Sequence, residues 1–258
     1  MATSIESETL GGAWAASGAD FTYKDVLPGE IEGIRTLCGS LAPGASRSTE
    51  ASEGEGRVYI FFAGSGSVDD GDATHEIGEI AFFAPRHNTP FTMRAGDGPL
   101  QFLELVVELS PVDKAELAEN AAKFPIFLPY SRCKTYRERI KSEKTTSRTL
   151  LAEYTFPRLC IGSVETTGDD SVAPHSHPML EQFFFGLEDN DCVVTADDAE
   201  LAFGEGVLLH IPLGSEHGVS VAAPKKLHYI WIDLFREREG MEWITQEHIP
   251  DEPDEEDA

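Results

Sequence analysis

A short motif occurs twice in this chain, about 122 residues apart, and no other feature restricts the fold as much. Arg35-Thr-Leu-Cys-Gly-Ser-Leu-Ala-Pro-Gly44 and Arg158-Leu-Cys-Ile-Gly-Ser-Val-Glu-Thr166 each open a stretch dense in Val, Ile, Phe and Tyr. Later landmarks keep nearly the same offset, with Gly78 and Ala84-Pro85 paralleling Gly206 and Pro212. A duplicated unit accounts for 258 residues better than one large sandwich does.

Within both copies the apolar segments are short and punctuated. Arg57 to Ala63, Glu79 to Ala84, Leu100 to Leu109, Gln182 to Phe185, Val207 to Pro212 and Leu227 to Leu234 read as strands. Turn signals such as Ala63-Gly64-Ser65-Gly66, Asp69-Asp70-Gly71-Asp72 and Gly204-Glu205-Gly206 separate them. The pattern predicts an all-β chain of two barrels. Between the copies, Pro111 to Lys123 has helical composition with Asp113 placed to cap, and Arg132 to Arg148 carries seven basic residues against two acidic ones. The expected division is therefore an N-terminal extension over 1–30, a first barrel over 31–110, a helical and basic connector over 111–150, a second barrel over 151–236 and an acidic tail over 237–258. Residues 251–257 (DEPDEED) are too charged to bury and are expected to be disordered.

Charge narrows the function classes. Forty-six acidic residues against 20 basic ones give a formal charge of −26, which repels nucleic acid and anionic membranes alike. Only eight of the basic residues are lysine, a balance suited to a salt-rich interior. No apolar run approaches the ~18 residues of a membrane span, and Met1 to Gly12 lacks the pattern of a secretion signal. Cys38, Cys133, Cys160 and Cys192 lie far apart with no CxxC pair, so reduced thiols are expected. The reading is a cytoplasmic protein whose partner is a small molecule, with no nucleic acid and no membrane.

The second copy holds the chemistry. Pro174-His175-Ser-His177-Pro-Met-Leu-Glu181 sets two histidines two residues apart, which on a strand puts both imidazoles on one face, able to converge on one ion. Glu181 follows at another even spacing and shares that face provided no turn intervenes. Further on, Gly206-Val-Leu-Leu-His-Ile-Pro212-Leu-Gly214-Ser-Glu-His217 supplies a strand, a Pro/Gly turn and a third histidine.

These segments resemble the two signatures of the cupin superfamily, the first its HxH-x3-E core and the second its G-x5-P-x-G-x2-H pattern residue for residue. The resemblance covers 154–234 well and 34–109 in degenerate form. It implies two fused cupin barrels of the RmlC-like jelly-roll type, joined by a short helical connector. It also implies that His175, His177, Glu181 and His217 hold one divalent transition metal ion, Fe, Mn, Ni, Zn or Cu. The chain departs from the pattern twice: six residues rather than five separate Gly168 from His175, and the glycine expected seven positions after Glu181 is Glu188. In the first copy Ala51 and Glu53 fall at the first two histidine positions, Arg57 at the glutamate and Thr89 at the third histidine. Only the second copy therefore carries a complete site; His75 and His87 lie off the ligand positions.

Around the ion, Phe183 and Phe185 share the parity of Glu181, as cavity lining or as core. His210, His228 and Tyr229 are the candidate catalytic acids and bases, beside Asp233, and Gln182 is placed to orient a ligand from outside the coordination sphere. The resemblance implies a metal-dependent enzyme acting on a small polar organic molecule, with a dioxygenase-type oxidoreductase leading. A redox-neutral isomerase, decarboxylase or aminohydrolase, the last similar to ureidoglycine aminohydrolases, is the alternative, and a non-catalytic ligand-binding bicupin is a third. Bicupins pair their barrels internally, so a monomer or a homodimer fits.

Overall fold

A computed structural model of the chain describes residues 4–10, 19–138 and 141–247. The chain forms two compact units, one of Leu10–Cys133 and one of Met1–Thr9 with Lys134–Ala258. Strand β1 (Ser7–Thr9) comes first and belongs to the second unit. The first unit follows with β2 (Phe21–Asp25), β3 (Ile34–Leu41), β4 (Ser46–Thr49), β5 (Glu55–Ala63), β6 (Gly66–Asp69), β7 (Thr74–Ile77), β8 (Ala81–Ala84), β9 (Phe91–Ala95), β10 (Leu100–Glu108), helix α1 (Pro111–Glu119) and β11 (Ile126–Pro129). The second unit resumes with β12 (Lys134–Tyr136), β13 (Thr146–Phe156), β14 (Leu159–Thr167), β15 (Asp170–His175), β16 (Leu180–Gly186), β17 (Asp191–Ala196), β18 (Ala199–Gly204), β19 (Val207–Ile211), β20 (His217–Val221), β21 (Lys226–Phe235) and helix α2 (Arg238–Glu247).

Each unit consists of two antiparallel sheets, and their strand orders show the duplication. The first unit has a six-stranded sheet, β11-β8-β5-β10-β3-β2, and a four-stranded one, β4-β9-β6-β7. The second has β1-β19-β16-β21-β14-β13-β12 and β15-β20-β17-β18. Adding eleven to each strand number of the inner run β8-β5-β10-β3 gives β19-β16-β21-β14, and the same shift maps one small sheet onto the other. The all-β expectation holds, with two barrels of common topology.

The ends of the barrels differ from the sequence division. Residues 111–150 contain helix α1, whose N-terminus is closed by a reciprocal pair: the Ser110 hydroxyl accepts from the Asp113 N–H at 3.2 Å and the Asp113 carboxylate from the Ser110 N–H at 2.9 Å. The rest of that stretch is not a free connector, because β11 pairs with β8, and β12 with β13 extends the second unit's large sheet. Residues 237–258 are not all tail either. Helix α2 buries Met241 and Ile244 against Cys160, Leu180 and Phe235, an apolar i, i+3 pair inside a charged segment. The acidic run 251–257 lies outside the described residues. All four cysteines are buried and none is in a disulfide, and no described helix is long and apolar enough to cross a membrane.

The repeated glycine has a packing cause. Gly39 on β3 pairs with Phe102 on β10, and Gly162 on β14 pairs with Trp231 on β21. In both barrels the neighbour's ring lies across the glycine, where a Cβ would collide with it; at Gly162 the Arg148 carbonyl oxygen also stands in the way. The Arg35 and Arg158 motifs thus share a ring-over-glycine contact beneath the barrel wall. Gly162→Ala is expected to cost about 1–3 kcal/mol by overpacking. Thermal melting checks this, and an unchanged melting temperature would contradict the packing argument.

A candidate metal centre in the second barrel

Three histidines converge because two strands and two turns bring them together. His175 ends β15 and His217 opens β20, and the two are direct cross-strand partners with ring centroids 4.5 Å apart. An irregularity in the pairing between Val172 and His175 accommodates Pro174, which has no N–H to give the ladder. His177 lies two residues beyond His175, its ring 4.8 Å from that of His175 and 5.2 Å from that of His217. The Gly214 N–H, in a turn where the glycine takes φ 73°, donates to the His177 carbonyl at 3.1 Å and ties this loop to the turn preceding His217. One potential ligand atom from each ring lies within 4.8 Å of the others.

Hydrogen bonds select the ring nitrogens that face inward. His175 Nδ1 lies 2.8 Å from the Ala173 carbonyl and His217 Nδ1 lies 3.1 Å from the Ser215 carbonyl. A carbonyl only accepts, so each Nδ1 carries the hydrogen and the neutral ring keeps its lone pair on Nε2. His177 and His217 are buried, and Trp243 of α2 sets its ring edge-on to His177 at 5.9 Å.

Glu181 is not with them. The turn at Pro178-Met179 separates β15 from β16 and breaks the parity count from His177, so Glu181 points to the other face of β16. There its carboxylate accepts from Arg236 at 2.6 and 3.0 Å and from His210 Nε2 at 3.2 Å. Burial alone would raise the Glu181 carboxyl, but the bonds from His210 and Arg236 outweigh it and hold it below the usual carboxylate range. Glu181→Gln is therefore expected to leave metal uptake unchanged and to lower stability at pH 7 by about 1–2 kcal/mol, Arg236 being largely exposed. A depressed carboxyl stabilises the fold above its unfolded value of about 4.3 and loses that contribution as pH falls through the folded value. The two proteins should thus converge in stability below about pH 4. Loss of metal in Glu181→Gln would return Glu181 to the ligand set.

The polar residue of β16 that shares the histidines' cavity is Gln182. A cavity of about 840 Å³ is lined by His175, His177, Gln182, Phe184, His217, Tyr229, Trp231, Asp233 and Ile244, and by residues 134–138 and Lys141. Gln182 is buried; its Nε2 donates to Asp233 Oδ1 at 2.7 Å, and its Oε1 has no hydrogen-bond partner in the protein. An acceptor left bare in the cavity that three imidazoles also line is what a cation would satisfy. Three neutral imidazole nitrogens and one amide oxygen fit a divalent first-row ion. Gln182 therefore belongs inside the cavity, not behind a ligand. Counting the family's glycine spacing of seven from Gln182 instead of Glu181 reaches Asp189, which takes a φ of 65°, a conformation that favours glycine.

The one-residue shift reassigns the other candidates. Phe184 lines the cavity, whereas Phe183 and Phe185 face away from it, Phe183 packing near His210. His210 pairs across from Phe183 and is engaged with Glu181 outside the cavity. His228 also points away, its Nδ1 donating to the Glu188 carbonyl at 3.2 Å; burial, then Lys226, draw its ring below the usual histidine value. Of the three catalytic candidates only Tyr229 lines the cavity, and burial pushes its hydroxyl far above the ordinary tyrosine value. A buried pair in the same wall, Lys141 Nζ with Glu138 Oε1 at 2.7 Å, lies inside the stretch expected to be a helical and basic connector and had no signal in the sequence.

No family model matches the chain, and no curated sequence does. Solved structures do match. The putative glyoxylate-induced protein of Pseudomonas aeruginosa superposes with a TM-score of 0.69 at 12% identity, covering 84% of this chain and 82% of its own. The oxalate decarboxylase of Lactobacillus farciminis, in a formate complex, gives 0.65 at 14% identity over 92% and 88%. A cupin 2 conserved barrel domain protein from Leptotrichia buccalis gives 0.61 at 18% identity over 84% and 90%. The fold is the cupin fold. At such identities the likeness speaks for the cupin barrel alone. Within the second cupin barrel the three histidines occupy one end of the cavity. The first cupin barrel is filled instead: Tyr59, Phe61, Phe83, Phe91 and Phe102 pack its interior, with Tyr59 and Phe91 edge-on at 5.3 Å. Among the described residues, His175, His177 and His217 are the one group of three metal-ligating side chains that comes together.

Proposed function

We propose that the chain is a metal-dependent cupin enzyme that transforms a small polar organic molecule in the second barrel, by dioxygenase-type oxidation. The convergence of His175, His177 and His217 in a cavity of small-molecule size, whose wall also holds Gln182 with its bare Oε1, carries this reading. A bound divalent ion supplies Lewis acidity and, where it is redox-active, electron exchange with dioxygen. The chain's own residues then bind and shield: Phe184, Trp231 and Ile244 exclude water, and Tyr229, kept protonated by burial, serves as a hydrogen-bond donor. His210 and His228, the expected proton carriers of a redox-neutral reaction, face away, which favours oxidation over isomerisation.

A second reading keeps one specific support. Glu138 and Lys141 form a buried acid–base pair in the cavity wall, backed by Tyr136, whose hydroxyl burial and Glu138 push up. Such a pair suits a decarboxylation or hydrolysis. The experiment is to identify the metal in protein from its own source, and then to follow oxygen uptake with a panel of small acids, diols and amines. Substrate-dependent uptake that a chelator abolishes is expected; conversion of a substrate without oxygen uptake would assign the redox-neutral reading.

A further inference from the structure

Gln182 changes the charge of the centre more than its shape. The three imidazoles and the amide oxygen are all neutral donors, so none of the four offsets the charge of a divalent ion. The cavity wall does not offset it either. Lys134, Arg137 and Lys141 line it against Glu138, Glu153 and Asp233, cations and carboxylates in balance, and Glu138 is already paired with Lys141. Glu181, which could have supplied a carboxylate, is turned outward to Arg236 and His210.

The amide cannot reverse to hide its oxygen. Asp233 Oδ1, as a carboxylate oxygen, accepts only, and it takes the Gln182 Nε2–H at 2.7 Å, which leaves Oε1 aimed away from Asp233. Both residues are buried, at 5% and 6% exposure, so water does not compete for the bond. The Cys160 thiol, held protonated by burial and then by Asp233, lies 4.0 Å from Asp233 Oδ2 and contacts the carboxylate from its other side.

Resting on the metal-site reading above, we infer that Gln182, held by Asp233, leaves the ion without an anionic ligand, so that the cavity selects a small organic carboxylate over neutral molecules of the same skeleton. Asp233 is the positioning residue of this device: it acts through the amide and not on the substrate. In a chain of formal charge −26 the centre is the local exception that draws an anion inward.

Pyruvate and hydroxyacetone test it, since they share a carbon skeleton and differ by the carboxylate. Full-length protein loaded with manganese is titrated with each by calorimetry, after its manganese affinity and melting temperature are measured. Wild type should bind pyruvate about ten-fold or more tighter than hydroxyacetone. Gln182→Glu should bind manganese more tightly and pyruvate about ten-fold more weakly, with hydroxyacetone little changed. Asp233→Leu should weaken manganese binding about 10–100-fold, whereas Asp233→Asn, which keeps an acceptor oxygen for the Gln182 amide, should recover most of it. Both variants remove the same charge, so that difference separates positioning from electrostatics; if Asp233→Leu does not fold, manganese binding by Asp233→Asn near the wild-type level carries the test. Failure of wild type to take up metal would remove the functional reading itself. Metal uptake with pyruvate bound no better than hydroxyacetone, or unweakened in Gln182→Glu, would overturn anion selection while leaving the centre in place.

Discussion

His177→Ala is expected to weaken divalent-metal binding by about 100-fold or more, since even partners behind a ligand cost 10–100-fold when removed. The expectation rests on His177 being buried within a cluster whose other two rings already have their tautomers fixed by the Ala173 and Ser215 carbonyls. Wild type should hold one ion per chain and gain stability as metal is added, about 2.7 kcal/mol at a hundred times the dissociation constant. The variant should lose that metal-dependent rise while its apo form melts close to apo wild type. Inductively coupled plasma analysis with paired melting curves checks both parts. Two tightly held ions that survive the substitution would contradict the assignment, because among the described residues His175, His177 and His217 are the one group of three metal-ligating side chains that comes together.

The contrast between His177 and Glu181 marks how far the site could be read from sequence. Side-chain parity is a local rule, so His175 and His177 were legible from a spacing of two. His217 was legible from the strand and Pro/Gly turn before it. Glu181 was not, because a parity count does not survive a turn, and the Pro178-Met179 turn hands the inward position to Gln182. The same error carried to Phe183, Phe185 and the proton role of His210, all on the face opposite Gln182. His228 failed for a different reason: its strand was identified, but which face of β21 looks inward depends on Tyr229, Trp231 and Asp233 meeting Gly162 and Gln182 on neighbouring strands.

At the level of the fold, repetition was the informative feature, and the ring-over-glycine pairs at Gly39 and Gly162 give it a physical basis. The boundaries were less legible. β1 joins β19 across most of the chain's length, a pairing that three residues of sequence cannot announce. Helix α2 was hidden because its charged residues dominate the composition, while the few apolar side chains that dock it, Met241 and Ile244, are spaced for a helix face.

Arg57→Met is expected to destabilise the first barrel by about 2–3 kcal/mol, the second large effect, because Arg57 serves a buried carboxylate. The strand registers make it the equivalent of Leu180 in the second barrel, with Val58 at Glu181 and Tyr59 at Gln182, and not of the glutamate as expected from sequence. Its Nη1 donates to Glu104 Oε1 at 3.1 Å and its Nη2 to Glu55 Oε2 at 2.6 Å. Glu55 was foreseeable as a neighbour two residues away. Glu104 was not, since it reaches Arg57 only through the pairing of β10 with β5. Glu104 is 1% exposed and also accepts from the Tyr59 hydroxyl at 2.8 Å, with Arg47 at 3.5 Å from its other oxygen. Those remaining partners keep the loss below the ~3–5 kcal/mol of a fully orphaned buried charge. Burial, then the neighbouring Glu104, lift the Tyr59 hydroxyl well above its ordinary value, so Tyr59 stays a donor and cannot replace the lost cation. Denaturant melts of Arg57→Met and of Arg57→Met with Glu104→Gln measure the coupling: the double variant should recover part of the loss, since it removes the stranded charge. A single variant as stable as wild type would show that Arg57 is not structural, and a fall in anion binding at unchanged stability would make it a ligand-binding residue of the first barrel.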